Sequence, residues 1–194
     1  MLRLILPIYL LVFFSAGFLW RSYIVWRHTG INPYKLGSTD TAHDFIGRLF
    51  RLVMIALVVI TVVYSWLPTL YEYFVPIPWL NHPLMSRIGL GLLVVALIWV
   101  ITAQAQMGDS WRIGVDTDHS TTLVTGGLFR YSRNPIFVGM RIMLLGLLLV
   151  LPNAILLVIW ALGDVLMQIQ VRLEEEHLTQ LHGLTYQAYR QRVR

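Results

Sequence analysis

Two apolar runs, residues 135–151 and 154–171, are separated only by Pro152-Asn153. Each run is close to the roughly 20 helical residues that cross a bilayer core. So few connecting residues force the two helices into an antiparallel hairpin. With the turn centred between residues 152 and 153, positions whose numbers sum to 305 lie at equal depth. That rule pairs Arg141 with Asp164, each about 10 Å inside the boundary at 1.5 Å per residue. A lone charge at such a position costs roughly 2.5–3.5 kcal/mol on insertion scales. Depth-matched opposite charges offset that cost, so the spacing predicts an ion pair that locks the hairpin. The same rule sets Arg133 level with Arg172, and Glu174 and Glu175 level with Tyr131 and Arg130. The Arg-Tyr-Ser-Arg-Asn-Pro stretch at 130–135 should therefore converge with residues 171–177 at one mouth of the hairpin.

Three further runs, 4–20, 52–67 and 88–105, bring the apolar segments to five, of 17, 16, 18, 17 and 18 residues in chain order. The shortest is expected to extend backwards through Phe45 and Phe50. Charged residues are only 13% of the chain, about half the share of an average soluble domain. The reading is an all-α integral membrane protein, one domain spanning 1–194, with about five transmembrane helices and a C-terminal helical hairpin. Arginine and lysine collect in alternate connections. Arg21, Arg27, Lys35, Arg48 and Arg51 follow the first run. Arg87 alone precedes the third; Arg112, Arg130 and Arg133 follow it, and Arg172, Arg190, Arg192 and Arg194 close the chain. This alternation places the N-terminus outside and the C-terminus in the cytoplasm.

Several chemistries are excluded. With no cysteine there is no disulfide scaffold, thiolate metal site or Cys nucleophile. The six histidines form no H-E-x-x-H pattern, so no zinc or iron site is expected. The net charge of +5 is spread between apolar runs rather than gathered in a stripe, which argues against a nucleic-acid partner. No G-x-G-x-x-G follows a strand pattern, so a nucleotide site would have to be built from helix ends and loops. Trp20, Trp26, Trp66 and Trp111, near run ends, read first as an interfacial belt. Gly139 and Gly146, seven residues apart on one helix face, read as a close-packing surface.

The charged stretch itself has a plain explanation. Asn134 before Pro135 is good helix-start chemistry, with Asn capping and Pro at the first helical position. Boundary arginines are ordinary topogenic charge, and Glu174–Glu176 could be a solvated helix face. Three features weigh towards a ligand site. Gly126-Gly127 permit close backbone approach. Three consecutive acids at a membrane face are expensive unless cations meet them. Residues 108–134 form a long connection, and long ordered loops are often functional.

The pattern T-L-V-T-x-G-L-F-R-Y-S-R-N-P-x-F-x-G, then a membrane hairpin, then R-x-E-E, then L-x-x-x-x-G-x-x-Y-x-x-Y-x-x-x-V-R runs from Thr122 to Arg194. It resembles the isoprenylcysteine carboxyl methyltransferases, and the related phospholipid methyltransferases share much of it. The family's usual Arg-His-Pro reads Arg133-Asn134-Pro135 here, and its usual Tyr is Phe137. The resemblance implies S-adenosylmethionine as cofactor. It also implies a lipophilic, prenylated substrate that enters from the bilayer lipids and is methylated on its C-terminal carboxylate. Residues 1–107 would then be the N-terminal spans and 108–194 the catalytic region, with the pocket at the cytoplasmic face.

Carried over residue by residue, the resemblance gives Thr122, Leu123, Val124 and Phe129 contact with the cofactor, and Asn134, Pro135 and Phe137 the same pocket. Glu175 would meet the cofactor's ammonium group, and Arg172 would bind the substrate carboxylate as the catalytic residue. Arg133 either serves the cofactor's carboxylate or anchors the loop. A carboxylate is already ionised at neutral pH and needs no general base, so loss of the family histidine is compatible with ester formation. Phospholipid or amine N-methylation is the second enzymatic reading. A non-catalytic membrane protein that binds no cofactor is the third. A nicotinamide-dependent reductase is a weaker fourth.

Overall fold

The backbone of every apolar run pairs within its own helix, as hydrocarbon requires. The structure, a computed structural model, describes residues 1–34, 41–114 and 121–193; Lys35, His119 and Arg194 lie outside them. Helix α1 (Leu2–Phe14) passes through a π-helical segment (Ser15–Trp20) into α2 (Arg21–Thr29). Helix α3 is Ala42–Trp66 and α4 is the short Pro68–Tyr71; α5 is Pro83–Met107 and α6 is Pro135–Val150. Helices α7 (Ala154–His182) and α8 (Leu184–Arg192) complete the chain. The described residues contain no β-strand, only two isolated bridges, Tyr34–Ile113 and Pro76–Asn153. The chain is an all-α integral membrane protein.

Four segments are long and apolar enough to cross a membrane: Leu2–Thr29, Ala42–Trp66, Pro83–Ser110 and Ala154–His182. The fifth expected span, α6, has 16 residues, roughly 24 Å of helix against a core of about 30 Å. It tolerates this because it is enclosed rather than lipid-facing, with nine of its residues buried. The second run does begin early, at Ala42, where Thr41 caps the helix by accepting from the Asp44 amide.

Small residues set the helix spacing. A Cβ on Gly89 of α5 would lie 2.7 Å from the Gly146 carbonyl of α6, and one on Gly139 would lie 2.5 Å from Val100 Cγ2. The predicted glycine face of α6 therefore packs on α5. Buried Leu6, Leu57, Leu93, Met143, Leu147 and Met167 knit α1, α3, α5, α6 and α7 into one core. Exposed Leu11, Ile55, Ile98, Val158 and Val165 form the outer, lipid-facing surface. Trp20, Trp26 and Trp66 are exposed as a belt requires, whereas Trp111 is 2% exposed and belongs to the interior.

The turn between α6 and α7 is closed by hydrogen bonds. Asn153 Oδ1 accepts from the Leu156 amide at 2.8 Å, and its Nδ2 donates to the Leu151 carbonyl at 3.0 Å and the Tyr71 hydroxyl at 3.2 Å. Neighbouring backbone pairs, Ile77 N to Pro152 O and Ala154 N to Val75 O, tie the turn to the preceding loop. Down the hairpin, Arg141 Nε donates to Asp164 Oδ1 at 2.6 Å, and Gln168 Nε2 donates to Asp164 Oδ2 at 2.6 Å. The ion pair predicted from turn position alone is present.

Arg141→Ala or Asp164→Ala alone strands the other charge in the bundle. The double variant should melt above the Arg141→Ala single variant in detergent, with a coupling of roughly 0.5–3 kcal/mol. Additive losses would show that the two charges stabilise the hairpin independently.

Candidate functional site

One end of the bundle opens into a cavity of about 480 Å³, within the usual range of roughly 300–1,000 Å³ for small-molecule sites. Its walls come from the ends of every long helix. The π-helical segment contributes Phe18 and Leu19, α3 contributes Gly47, Phe50, Arg51 and Met54, and α5 contributes Val100 and Gln104. The loop after α5 adds Trp111 to Gly114, the α6 entrance adds Phe129 and Arg133 to Phe137, and α7 adds Gln170, Glu174 and Leu178. The apolar portion is Phe13, Phe14, Phe18, Phe50, Met54 and Met140; the polar portion is Arg112, Arg133, Asn134, Gln170 and Glu174. Phe50 and Phe137 stack across it, 6.3 Å between centroids and 17° apart.

The local structure explains how these groups are presented. In the π-wound segment the Gly17 carbonyl accepts from Gln104 Nε2 at 2.8 Å, so widening the helix there ties α1 to α5. Gly127 sits at φ +59°, and a Cβ on it would collide with the Gln106 side chain. Gln106 Oε1 accepts the Leu128 amide at 2.8 Å. Gly127 thus admits a protein side chain that pins the loop, whereas Gly126 has open space around it.

Asn134 precedes Pro135 at the start of α6 as expected, but its side chain makes no capping bond. Ser132 Oγ instead accepts the Asn134 amide at 3.2 Å. The Asn134 carboxamide is left facing the cavity, without a hydrogen bond among the described residues.

The stretches around 133 and 175 do converge. Arg133 Nε donates to Glu175 Oε1 at 2.6 Å, and Arg190 Nε approaches Glu175 Oε2 at 3.6 Å. Arg133 also donates to the Val193 carbonyl, so its guanidinium is held by α7 and the chain end together. The equal-depth rule paired Arg133 with Arg172; the contact falls three residues later because the chain leaves helical geometry before Pro135. Helix α8 closes this corner. Tyr189 donates to the Phe129 carbonyl at 2.6 Å. Tyr186 is 1% exposed, and burial, then the nearby Glu175 charge, pushes its phenol up to about 12, keeping it neutral.

Of the residues singled out from the sequence, Phe129, Arg133, Asn134, Pro135 and Phe137 line the cavity together. Thr122, Leu123 and Val124 lie outside the lining; Ser110 bonds to both the carbonyl and hydroxyl of Thr122, fastening that segment to the loop after α5. Glu175 is buried behind the wall in its arginine pair, and the carboxylate that faces the cavity is Glu174. Its Oε1 accepts from Gln170 Nε2 at 3.1 Å, and no cation pairs with it among the described residues. Arg172 is exposed, on the face of α7 turned away from Gln170 and Glu174. Helical phase carries the signal for Glu174: residues 170, 174 and 178 share one face. The contribution of α1 and α3 had no motif to announce it. Among the described residues no cluster of three potential metal ligands occurs.

Residues 84–185 match the family model of phospholipid methyltransferase, more than half of the chain. The chain belongs to the phospholipid methyltransferase family. Comparisons with curated proteins and with solved structures gave no match. This membrane methyltransferase family assignment covers α5, the loop, the hairpin and the start of α8. The part of the cavity wall supplied by residues 13–54 lies outside the matched residues.

Glu175→Ala removes the partner of a mostly buried guanidinium, a loss of about 3 kcal/mol for such pairs. The variant should melt several degrees lower and expose α8 to proteolysis first. An unchanged melting temperature with α8 still protected would show that the Arg133–Glu175 pair does not hold this corner.

Proposed function

We propose that the cavity binds S-adenosylmethionine beside a lipophilic carboxylate, such as a prenylated cysteine, and forms its methyl ester. The observation that carries this reading is the composition of a single cavity. An unpaired carboxylate and a free carboxamide sit at one portion, and an aromatic and methionine-lined chamber continues from it.

The residues present suit the cofactor. Glu174, with Gln170 beside it, would take the ammonium group, a strong charge-assisted contact. Asn134 would hydrogen-bond a polar edge, and Phe129, Pro135 and Phe137 would pack on apolar surface. Arg133, pinned by Glu175 and the chain end, would hold the loop in place. Thr122, Leu123 and Val124 remain candidates for contact at the rim. When bound, the cofactor would supply an electrophilic methyl on a sulfonium: the carboxylate oxygen would bond to that methyl carbon as the carbon–sulfur bond breaks, giving the ester and a neutral thioether. The chain's own work is to hold the two groups in line and to keep water away from them. No proton moves, so no general base is assigned, and Asn134 in place of a histidine is consistent with that.

The count of Lys and Arg between spans supports a cytoplasmic cavity, an outside N-terminus and a cytoplasmic C-terminus. The apolar chamber is supplied by α1, α3 and α6, so a chain dissolved in the bilayer would reach it from the lipid side. The family's description favours a second reading, in which the acceptor is the amine of a phospholipid headgroup. Glu174 would also suit a cationic headgroup.

Purified protein in detergent, given methyl-labelled S-adenosylmethionine and N-acetyl-S-farnesylcysteine, should yield label that is released by mild base. The rate should be nearly flat between pH 6.5 and 8.5, because the acceptor, with a pKa of about 3.5, is ionised throughout. An amine acceptor with a pKa of about 10 must lose a proton first, so its rate would rise about tenfold per pH unit over that range. Base-stable label in phospholipid with that steep profile would replace the ester reading with the amine one.

A further inference from the structure

Three arginines line the cavity: Arg51, Arg112 and Arg133. Two are already engaged by the protein. Arg133 is bound to Glu175 and the Val193 carbonyl. Arg112 donates to the Asp109 and Trp111 carbonyls at 2.7 and 2.9 Å, which folds its own loop. Arg51 makes no hydrogen bond and no ion pair among the described residues. It stands on α3 immediately before the apolar run of 52–67, between Phe50 and Met54 of the chamber wall. Arg51 is exposed where it lines the cavity, so its guanidinium is open to an incoming anion.

Its position relative to the family match is informative. Glu174, Gln170 and Asn134, the groups suited to a cofactor, all fall within residues 84–185, whereas Arg51 and the aromatic chamber of α1 and α3 fall outside them. Resting on the ester-forming function above, we propose that Arg51 is the substrate-selecting residue: its guanidinium receives the terminal carboxylate of a lipophilic acceptor whose chain lies along Phe14, Phe18, Phe50 and Met54. The planar fork of an arginine suits a carboxylate in two parallel hydrogen bonds. Arg172 lies outside the cavity lining, on the face of α7 turned from Gln170 and Glu174, and is not placed to do this. Specificity thereby resides in the N-terminal helices, and the hairpin supplies the cofactor half of the site.

The test compares binding of N-acetyl-S-farnesylcysteine with binding of its neutral methylamide, using detergent-solubilised full-length protein. Wild type should prefer the carboxylate by at least about tenfold, the scale of a charge-assisted contact. Arg51→Gln should lose that preference while retaining S-adenosylmethionine affinity and melting temperature. Arg51→Lys should recover part of it, and in turnover the Gln variant should raise KM with little change in kcat. Equal preference in wild type and Arg51→Gln, or no preference in wild type, overturns the assignment of Arg51. Methyl transfer followed on the same wild-type preparation separates the two ideas. Base-labile product made with Arg51→Gln preference intact removes only Arg51. Failure of wild type to bind the cofactor removes the ester-forming function itself.

Discussion

The saturated turn at Asn153 is the constraint on which the rest of the molecule depends. This residue is fully buried, and its carboxamide is used three times, on Leu156, Leu151 and Tyr71. Inside or beside hydrocarbon, unsatisfied amides are too costly to leave loose, so the register of α6 against α7 is fixed at its closed end. Every pairing further down follows from that register. Arg141 meets Asp164, Gly163 packs on Leu144, and at the open end Arg133 reaches Glu175.

This register was legible in the amino-acid sequence because it needs only a short connection and a constant rise per residue. The Arg141–Asp164 pair follows from counting, and so does the convergence of the 130–135 stretch with residues 171–177, though the rule set Arg133 level with Arg172 and not with Glu175. The glycine face of α6 was legible for a similar reason, since Gly139 and Gly146 recur at helical spacing. The finer placement was not. Counting gives depth but not azimuth, so it could not tell that Glu174 faces the cavity while Glu175 turns into the arginine pair. Asn134 looked like a cap because its neighbours suit one; Ser132 takes part of that duty and frees the carboxamide. Trp111 read as a belt residue because nothing local distinguishes an interfacial tryptophan from one that a loop folds inward.

The roles of α1 and α3 were the least visible. Their contribution is a tertiary one: aromatic side chains spaced as any apolar helix would space them, gathered only when α1, α3 and α7 pack together. A π-wound segment adds to this, since it re-aims Phe18 and Leu19 and has no recognised sequence signal. The cavity is therefore a composite, built in larger part from the family's matched region and in smaller part from helices whose composition looks generic. Under the function proposed above, that division would let one hairpin site serve acceptors of different chemistry. The cofactor half would stay the same while the neighbouring helices change what may lie beside it.

The central claim is that folding back at Pro152-Asn153 delivers the 130–135 stretch and the acidic face of α7 to one cavity on one side of the membrane. The chain has no native cysteine, so cysteines placed at Asn134 and Glu174 can be followed without background. In sealed, oriented vesicles a short bifunctional thiol reagent should bridge the two within one chain, and an impermeant thiol reagent should label both from the same side. Efficient single labelling without any bridge, or labelling of the two from opposite sides, would contradict the account.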